Sequence, residues 1–408
     1  MFRIRTLSNI FTQKKSMNSE LRFDNTEIAF SQKSSSELRK AYLMFKVMSN
    51  PRWVSFGSNL ALFGLKARLP LIPQIIKSTV FRQFCGGVNR SDCSNLVSNL
   101  NQNGVKAILD YSVEGQESEE QYDNKTDSII DSLQTVTKND GEAFGVFKPT
   151  AIGAYKVFEN ALKKDTDQET KDAFERIRKR YVSIFKEAAR LNVSILIDAE
   201  ETWMQDSADL LALEMMERFN KNDIIVYNTF QMYRHDRLEV LSSWTITARN
   251  KGFKVGAKLV RGAYMEKERE RALKLGYSSP ICKDKKATDD NFDSAIRLVF
   301  ENIDHCGLVV GSHNEASTLL TSTLMKEQGI EPGDPRISLA QLFGMSDQIT
   351  YNLAAHSYNA IKLIPYGPIR DVLPYLIRRA EENTSVAGQT GRELTLITKE
   401  LKRRKILN

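Results

Sequence analysis

The chain has 408 residues, of which 41% are hydrophobic, a length that allows one large core plus an accessory region. Its 58 Lys and Arg residues against 51 Asp and Glu residues give a net charge of +7, without a basic cluster interleaved with aromatics, which argues against nucleic-acid binding. The four cysteines lack CxxC or Cys/His metal spacing, so we predict buried thiols and no metal site.

Residues 1–33 form a basic N-terminal segment. The run from Met1 to Ser16 has four basic residues and no acid, which is typical of a mitochondrial presequence. A disordered basic tail is the alternative, and Met17 also permits a bacterial cytoplasmic protein with peripheral membrane contact. Residues 34–105 show apolar spacings of three and four between Gly and Pro breaks, and predict a helical accessory region.

The periodicity then changes to short apolar runs that alternate with amphipathic segments. The predicted strands are Ala107–Tyr111, Ala143–Phe147, Val193–Ile197, Ile224–Asn228, Lys254–Val260, Leu308–Gly311, Ile337–Gln341 and Ala360–Ile364. The predicted helices between them include Thr170–Leu191, Ala208–Asn220, Arg237–Lys251, Met265–Leu275, Asp290–Ile303 and Glu315–Glu327. Eight alternations predict an α/β fold, a (β/α)8 TIM-type barrel over residues 106–395, followed by a basic tail at 396–408.

Other α/β folds lack their sequence signatures here. No GxGxxG follows the first strand, and no GxxxxGK[ST] or GxSxG occurs, so a dinucleotide fold, a Walker loop and a serine hydrolase lack support. The acidic stretch 115–127 and the stretch 163–180 are predicted to be solvated decoration.

Polar residues follow most of the predicted strands. Because barrel chemistry lies at the carboxyl ends of strands, we expect these side chains to converge on one rim. The candidates after strands two to six are Lys148, Asp198, Asn228, Lys258, Val260, Arg261, Gly262, Tyr264, His313 and Asn314. Several of them are basic, which suits an anionic substrate and a phosphate-bearing cofactor.

A helix follows the eighth strand and is predicted to close over the site. We expect Asp371 to cap it and Pro374 to lie in its first turn. At 100° per residue, the apolar side of this helix is predicted to consist of Leu373, Leu376, Ile377 and Ala380. Arg378 and Arg379 project from the other side, together with Tyr375 and Glu382. Adjacent guanidinium groups bind carboxylates well. A solvated basic face is the alternative interpretation.

Five motifs in order along the chain resemble those of the proline dehydrogenase (proline oxidase) family. They are Leu196-Ile-Asp-Ala-Glu-Glu, Lys258-Leu-Val-Arg-Gly-Ala-Tyr, Ser312-His-Asn, Gln341-Leu-Phe-Gly-Met and Tyr375-Leu-Ile-Arg-Arg-Ala-Glu-Glu-Asn. The resemblance implies an FAD-dependent barrel that oxidises L-proline to Δ1-pyrroline-5-carboxylate and passes electrons to a membrane quinone.

The resemblance also implies roles for the candidate residues. Arg378 and Arg379 would bind the substrate carboxylate, and Lys148 and Asp198 would lie beside the substrate. The implied pocket walls are Tyr264, Leu342, Leu363 and Tyr375. The implied flavin contacts are Asn228, Lys258, Val260, Gly262, His313, Asn314 and Glu382.

Leu363 departs from the family pattern, because many relatives carry Tyr at that position. Relatives that prefer 4-hydroxyproline also lack this Tyr, so hydroxyproline stays open as a substrate. Tyr366 is not expected to substitute for the missing Tyr.

A flavin-free aldolase with Lys148 or Lys258 as Schiff-base lysine is a remoter alternative function, and a catalytically inactive barrel is a third. The apolar stretch Trp53–Leu65 and the basic C-terminal tail are candidates for peripheral membrane contact.

Overall fold

The computed structural model describes residues 20–407 except 68, 70, 112–117, 139–140 and 386–388, and the side chains of 137–138, 381–385 and 389–390 are likewise not described. The run from Met1 to Ser16, predicted as a presequence, lies outside the described residues. All four cysteines are buried and free, as predicted.

Eight strands form a single parallel sheet. They are β1 Val105–Tyr111, β2 Gly145–Phe147, β3 Ile195–Ile197, β4 Val226–Gln231, β5 Val255–Val260, β6 Cys306–Gly311, β7 Ile337–Leu342 and β8 Ala360–Tyr366. The sheet order is β1-β8-β7-β6-β5-β4-β3-β2, in which every chain-consecutive pair except β1 and β2 is adjacent. This order is that of a nearly closed (β/α)8 barrel, so the predicted fold class is confirmed.

The described helices that precede β4 are α1 Thr26–Ala29, α2 Ser35–Met48, α3 Pro51–Lys66, α4 Ile72–Ile76, α5 Arg82–Phe84, α6 Ser94–Gln102, α7 Glu119–Lys138, α8 Tyr155–Asn160, α9 Gln168–Leu191 and α10 Thr202–Phe219. Those after β4 are α11 Arg237–Lys251, α12 Met265–Leu275, α13 Lys285–Phe300, α14 Glu315–Glu327, α15 Asp347–Ala355, α16 Ile369–Ser385 and α17 Gln389–Arg403. Side-chain caps define several starts. At α2, for example, the Ser34 side chain and Glu37 form a capping box.

The chain divides into two compact units, residues 1–113 with 341–408 and residues 114–340. The first unit contains two apolar clusters. One joins α1 and α2 to α17 through Phe30, Leu38, Phe45, Leu396 and Leu401. The other, which we call the α16 cluster, is lined by α3, α5 and α16 residues such as Val54, Leu65, Phe84, Val372 and Leu376.

The second unit contains β2 to β6 and most of β7. Its strands pair in a register that places Phe147 opposite Ile197 and Ile197 opposite Asn228. These strand residues are among the most buried of the chain, with Ile195, Leu196 and Ile197 all fully buried. Strands buried on both faces explain the continuous apolar runs in the sequence.

Two segments expected to be solvated decoration are helices that pack on each other, and the second contains the predicted helix Thr170–Leu191. Residues 119–127 belong to α7, and residues 168–180 belong to α9, which buries Phe174, Ile177 and Arg180. Arg180 is held at 2.7 Å by Asp123 and also contacts Glu119, both on α7. The prediction was wrong because the charged residues pair between the two helices rather than with solvent.

The start of α16 also differs from the prediction. The helix begins at Ile369, so Asp371 lies in its first turn and does not cap it, while Pro374 lies inside the helix. Backbone N–H groups of Asp371 and Val372 donate to the carbonyl of Pro368 at 2.9 and 3.1 Å, which places the helix start three residues earlier than predicted. The predicted apolar side is confirmed, because Leu373, Leu376 and Ala380 are buried.

Candidate active site

Lys258 and Asp198 form a buried ion pair at the carboxyl ends of their strands. Lys258 Nζ donates to Asp198 Oδ1 at 2.6 Å, and the lysine side chain is 8% exposed against 17% for the aspartate. Lys258 belongs to β5 and Asp198 follows β3, so the side chains meet across β4 on one face of the sheet. Since a lysine held in an ion pair is a weak nucleophile, this pair does not favour a Schiff-base role for Lys258.

Lys148 follows β2 and precedes a 3₁₀ turn, Pro149–Ala151. The register of β2 with β3 continues Phe147 opposite Ile197, so Lys148 is the neighbour of Asp198 along the strand ends. Next to it, Glu200 is buried and accepts hydrogen bonds from the backbone N–H and hydroxyl of Thr150 at 2.9 and 2.7 Å. Burial raises the pKa of Glu200 to about 7, although Thr150 and the positive charge of Lys148 oppose that rise.

Asn228 on β4 is the centre of a second polar group. Its Nδ2 donates to Asp209 Oδ1 at 2.8 Å, and Asp209 is also bound by Arg237 at 2.6 Å and Gln205 at 2.8 Å. This set fixes the orientation of the amide. Asn228 is 1% exposed, yet its Oδ1 atom accepts no hydrogen bond from the residues that the structure describes. A buried acceptor held in this way suits a ligand with a hydrogen-bond donor.

The segment after β5 brings backbone close to the same strand ends. Gly262 has φ of 126°, and a Cβ atom at this position would lie 2.5 Å from the Tyr233 ring. Only glycine fits there, because the positive φ and the adjacent Tyr233 ring leave no space for a side chain. Gly262 itself is exposed at this turn. Tyr264, half-buried, ends the turn and begins α12.

The remaining candidates after β5 and β6 divide into two kinds. Arg261 points toward helices α13 and α14, where it contacts Asp289, Ser312 and Ser317 at 2.7, 2.8 and 3.0 Å. The guanidinium group of Arg261, a basic residue of the predicted rim, therefore binds neighbouring parts of the protein. Asn314 Oδ1 caps α14 by accepting from the backbone of Ala316 at 2.9 Å. Half-buried His313 precedes it at the strand end, and their predicted cofactor contacts stay predictions.

In the other unit, Leu342 at the end of β7 and Leu363 in the middle of β8 are both half-buried. The backbone N–H of Phe343 donates to the Leu363 carbonyl at 2.9 Å, which brings the two apolar residues together. Leu342 and Tyr375 both pack against the α16 cluster. Tyr366 lies elsewhere, with its ring 5.3 Å from that of Tyr111, so it does not replace the missing tyrosine at 363.

A fully buried lysine binds the backbone next to this apolar pair. Lys362 is 1% exposed and donates to the carbonyls of Met345 and, at 3.4 Å, Leu342. Its Nζ lies 3.0 Å from Asp347, which also pairs with Lys33 at 3.1 Å. The two lysines hold the pKa of Asp347 at about 2, against the opposing effect of its burial. Glu393 completes this set, the Lys362 network, by accepting from the Ser346 backbone.

Helix α16 carries the paired arginines. Arg379 is 8% exposed, and its guanidinium carbon lies 5.1 Å from the centre of the Tyr375 ring. Arg378 is half-buried beside it, so the alternative of a solvated basic face is wrong. Glu382 belongs to the same helix, but its side chain lies outside the described residues. A buried arginine stacked on a tyrosine is pre-oriented for a carboxylate.

The residues at the strand ends of 114–340 fit a flavin. They provide a buried amide acceptor at Asn228, a cation at Lys258 and an exposed glycine at Gly262. Among the described residues no group of three or more His, Cys, Asp or Glu is placed to hold a metal ion. The fold is that of a (β/α)8 barrel, an architecture in which chemistry lies at the carboxyl ends of the strands.

Comparisons with known proteins identify the family. The model of the proline dehydrogenase family matches residues 93–392. Proline dehydrogenase 1 of Dictyostelium discoideum, a mitochondrial protein, is 30% identical over 95% of this chain and 76% of its own length. The chain therefore belongs to the proline dehydrogenase family, whose members are oxidoreductases and flavoproteins.

Other similar proteins include a hydroxyproline dehydrogenase and a solved structure of proline utilization A. Hydroxyproline dehydrogenase of Xenopus laevis is 31% identical over 92% of this chain and 88% of its own length. Proline utilization A from Bdellovibrio bacteriovorus shares the fold, with a TM-score of 0.70 at 17% identity over 97% of this chain and 43% of that one. The chain also spans only 40% of the matched Caenorhabditis elegans proline dehydrogenase.

The sequence alone did not indicate a role for three residues of the strand-end regions. Glu200 lies within a quoted motif but gave no sign that burial would shift its pKa. Asp209 and Lys362 read as ordinary helix and strand residues, and their partners are distant in sequence. The single signal for Lys362 was a lysine inside an apolar strand.

Proposed function

We propose that this protein oxidises L-proline to Δ1-pyrroline-5-carboxylate, with FAD as its cofactor and a membrane quinone as electron acceptor. The observation that carries the proposal is the buried Arg379 stacked on Tyr375, with Arg378 beside it on α16. The mitochondrial names of relatives and the basic N-terminal run support a mitochondrial location.

The two arginines give the substrate its orientation. Their guanidinium groups would bind the proline carboxylate through paired hydrogen bonds, which fixes the position of the ring carbon that loses hydride. Leu342 and Leu363 provide apolar surface suited to the pyrrolidine ring, and Tyr375 and Tyr264 would complete the walls. These side chains exclude water from the reacting carbon.

The cofactor-binding roles fall to the strand ends of residues 114–340. Bound FAD supplies the hydride acceptor. Asn228, Lys258, Val260, Gly262, His313 and Asn314 would hold it, together with Glu382 from α16. Because the Lys258 cation is fixed by Asp198 at 2.6 Å, it provides a positive charge that does not need to reorganise during the reaction. Lys148 and Asp198 would lie beside the substrate amine.

The test compares two arginines of α16. Arg378→Met should raise the KM for proline at least about tenfold, because charge-assisted hydrogen bonds of roughly 1.5–3 kcal/mol each are lost. Arg370→Met is the matched control, since Arg370 is exposed on the first turn of the same helix. Both variants should retain flavin absorbance, and proline should bleach it. Unchanged proline kinetics in Arg378→Met would remove the assignment, and bands that no substrate bleaches would indicate an inactive barrel.

Hydroxyproline is the second candidate substrate, favoured by Leu363 and by the hydroxyproline dehydrogenase among the relatives. Leucine offers no hydrogen-bond partner to a 4-hydroxyl group, which leaves proline first. The ratio of kcat/KM for the two substrates decides between them.

A further inference from the structure

One face of helix α3 is apolar and exposed. Trp53, Phe56, Leu60 and Phe63 recur along this face, and their exposed fractions are 61, 62, 46 and 66%. The Trp53 and Phe56 rings are 6.4 Å apart in an edge-to-face contact. Four large apolar side chains on one helix face form a patch of the kind that marks an interaction surface. We call these four residues the outer α3 face.

The opposite side of α3 already supplies its packing. Val54 and Leu65 are buried in the α16 cluster together with Val372 and Leu376. The outer α3 face is therefore not needed to attach the helix to the protein. Neighbouring helices extend the exposed apolar surface, since Leu43 and Val47 on α2 and Ile75 on α4 are 61, 56 and 54% exposed.

The charge around this face has one sign. Between Leu38 and Ser91 the sequence contains no Asp or Glu, although these residues make up one in eight of the chain. The basic residues in that interval are Arg39, Lys40, Lys46, Arg52, Lys66, Arg68, Lys77, Arg82 and Arg90. Arg52 and Lys66 are exposed near the two ends of α3. A soluble protein partner would not require so complete an exclusion of acids.

We propose that the outer α3 face docks on an anionic phospholipid bilayer, with α3 parallel to the membrane plane. The aromatic side chains would enter the boundary between headgroups and acyl chains, where Trp is favoured, and the basic residues would contact lipid phosphates. Among the helices that the structure describes, none is long and apolar enough to cross a bilayer.

The meaning of this surface rests on the proposed function. A membrane quinone is an apolar acceptor, and docking through α3 would hold the enzyme at the layer that contains it. Helix α3 packs directly against α16, the helix of Arg378 and Arg379, in the same cluster. Docking and substrate binding thus use opposite sides of one packed layer of helices in this unit.

Vesicle co-sedimentation tests the proposal without substrate or quinone. The wild-type protein should bind vesicles of phosphatidylcholine with phosphatidylglycerol, and bind pure phosphatidylcholine at least about tenfold less. The triple variant Trp53→Ser/Phe56→Ser/Phe63→Ser should lose binding to the mixed vesicles at least about tenfold. Leu273→Ser is the matched control and should bind normally, because Leu273 is an 87% exposed leucine on α12 in the other unit.

A charge variant separates the electrostatic part. Arg52→Gln/Lys66→Gln/Lys77→Gln should weaken binding to the mixed vesicles at least about tenfold, whereas Lys286→Gln, a lysine exposed on α13, should not. Brominated acyl chains should quench Trp53 fluorescence, and Trp53→Phe should abolish that quenching. Equal binding of the triple variant, or quenching that survives Trp53→Phe, overturns the proposal.

A second copy of this chain is the competing occupant. If the triple variant converts a dimer to a monomer in light scattering while vesicle binding persists, the face is a protein interface and the proposal is wrong. All variants should keep flavin bands that proline bleaches, since none of the changed residues lies in the proposed substrate or cofactor sites. Normal vesicle binding by a protein that proline cannot bleach would contradict the proposed function alone.

Discussion

Two buried clusters of charged residues use the same kinds of side chain, and each keeps one buried oxygen that accepts no hydrogen bond from the described residues, Asn228 Oδ1 in one and Glu393 Oε2 in the other. They differ in where their remaining polar groups are directed. In residues 114–340, Asn228 is held by Asp209 and yet keeps a buried Oδ1 atom that accepts no hydrogen bond from the described residues. In the other unit, the Lys362 network joins Lys362 to Asp347 and to backbone carbonyls of the β7 end. The first cluster lies where the cofactor is proposed to bind, whereas the lysine of the second donates to the protein's own backbone.

The difference indicates distinct tasks for buried charge in one barrel. Burying charge costs free energy that only close partners offset. Where a cofactor is to be bound, the free-energy cost of a buried acceptor without a hydrogen bond is offset when the ligand donates to it. Where an apolar wall must be held in place, as at Leu342 and Leu363, the lysine is better paired within the protein. The predictions below test this contrast.

The largest effect is expected from opening the Lys362 network. Lys362→Met should lower the free energy of unfolding by about 3–5 kcal/mol, because removing one partner of a buried ion pair leaves the other uncompensated. Urea denaturation measures the change. Lys106→Met is the matched control, since Lys106 is an exposed lysine on the neighbouring strand β1 and should change stability by less than about 0.5 kcal/mol. A loss below about 1 kcal/mol in Lys362→Met would show that Lys33 suffices for Asp347.

Two buried asparagines sharpen the contrast further. Asn220 uses both amide atoms, accepting from Ile225 and Val226 and donating to Val226 and Lys254, all within 3.0 Å. Asn220→Leu should therefore destabilise the protein by about 2 kcal/mol or more without a selective effect on the flavin. Asn228→Leu should cost less stability but weaken flavin retention about tenfold.

Flavin released on dialysis, followed by absorbance, and urea denaturation of the same samples separate the two outcomes. If Asn228→Leu loses stability as Asn220→Leu does and keeps its flavin, the open acceptor has no role in cofactor binding.

A pair of buried acids compares the clusters by pH. Burial raises the pKa of both Glu200 and Glu393 to about 7, from an ordinary value near 4.5. An acid whose folded pKa is raised contributes stability that is present below its unfolded pKa and is lost as pH rises through the folded one. Each therefore lowers stability by at most about 1.4 kcal/mol per pH unit between about pH 4.5 and 7.

Glu393→Gln should flatten the fall of Tm between pH 5 and 7.5, since glutamine keeps an acceptor for Ser346 but does not ionise. It should leave the pH dependence of flavin bleaching unchanged. Glu200→Gln should change that bleaching profile as well, because Glu200 interacts with Lys148 at the strand ends. Identical profiles for the two variants would contradict the assignment of different tasks to the two clusters.

Local patterns predicted the fold well, and distant pairs account for what they did not predict. Helices α11, α12 and α14 begin and end at the predicted residues, because amphipathic spacing and terminal glycines are local signals. The ion pairs of Arg180 with α7 and of Lys33 with Asp347 join residues far apart in sequence, so no local pattern contained them. The family motifs predicted Arg378 and Arg379 as substrate-binding residues. The motifs did not predict the burial of these side chains, because that burial depends on the packing of the α16 cluster.

The smallest effect is expected at Leu363, where the apolar wall itself is changed. Leu363→Tyr keeps the backbone bond from Phe343, so the end of β8 should stay in place. In the proposed pocket, the larger ring would narrow the space beside the pyrrolidine ring and should disfavour a substrate with an added hydroxyl group. We expect kcat/KM for proline relative to 4-hydroxyproline to rise about three- to tenfold, in the range that one small group controls.

Leu363→Phe is the matched control, because it adds the ring without the phenol oxygen. If both variants raise the ratio equally, the size of the side chain sets the preference. If only the tyrosine does, its hydroxyl acts, and the wall that the Lys362 network supports would then contribute a polar contact. A ratio that moves toward hydroxyproline in both variants would mean that Leu363 does not lie beside the substrate ring.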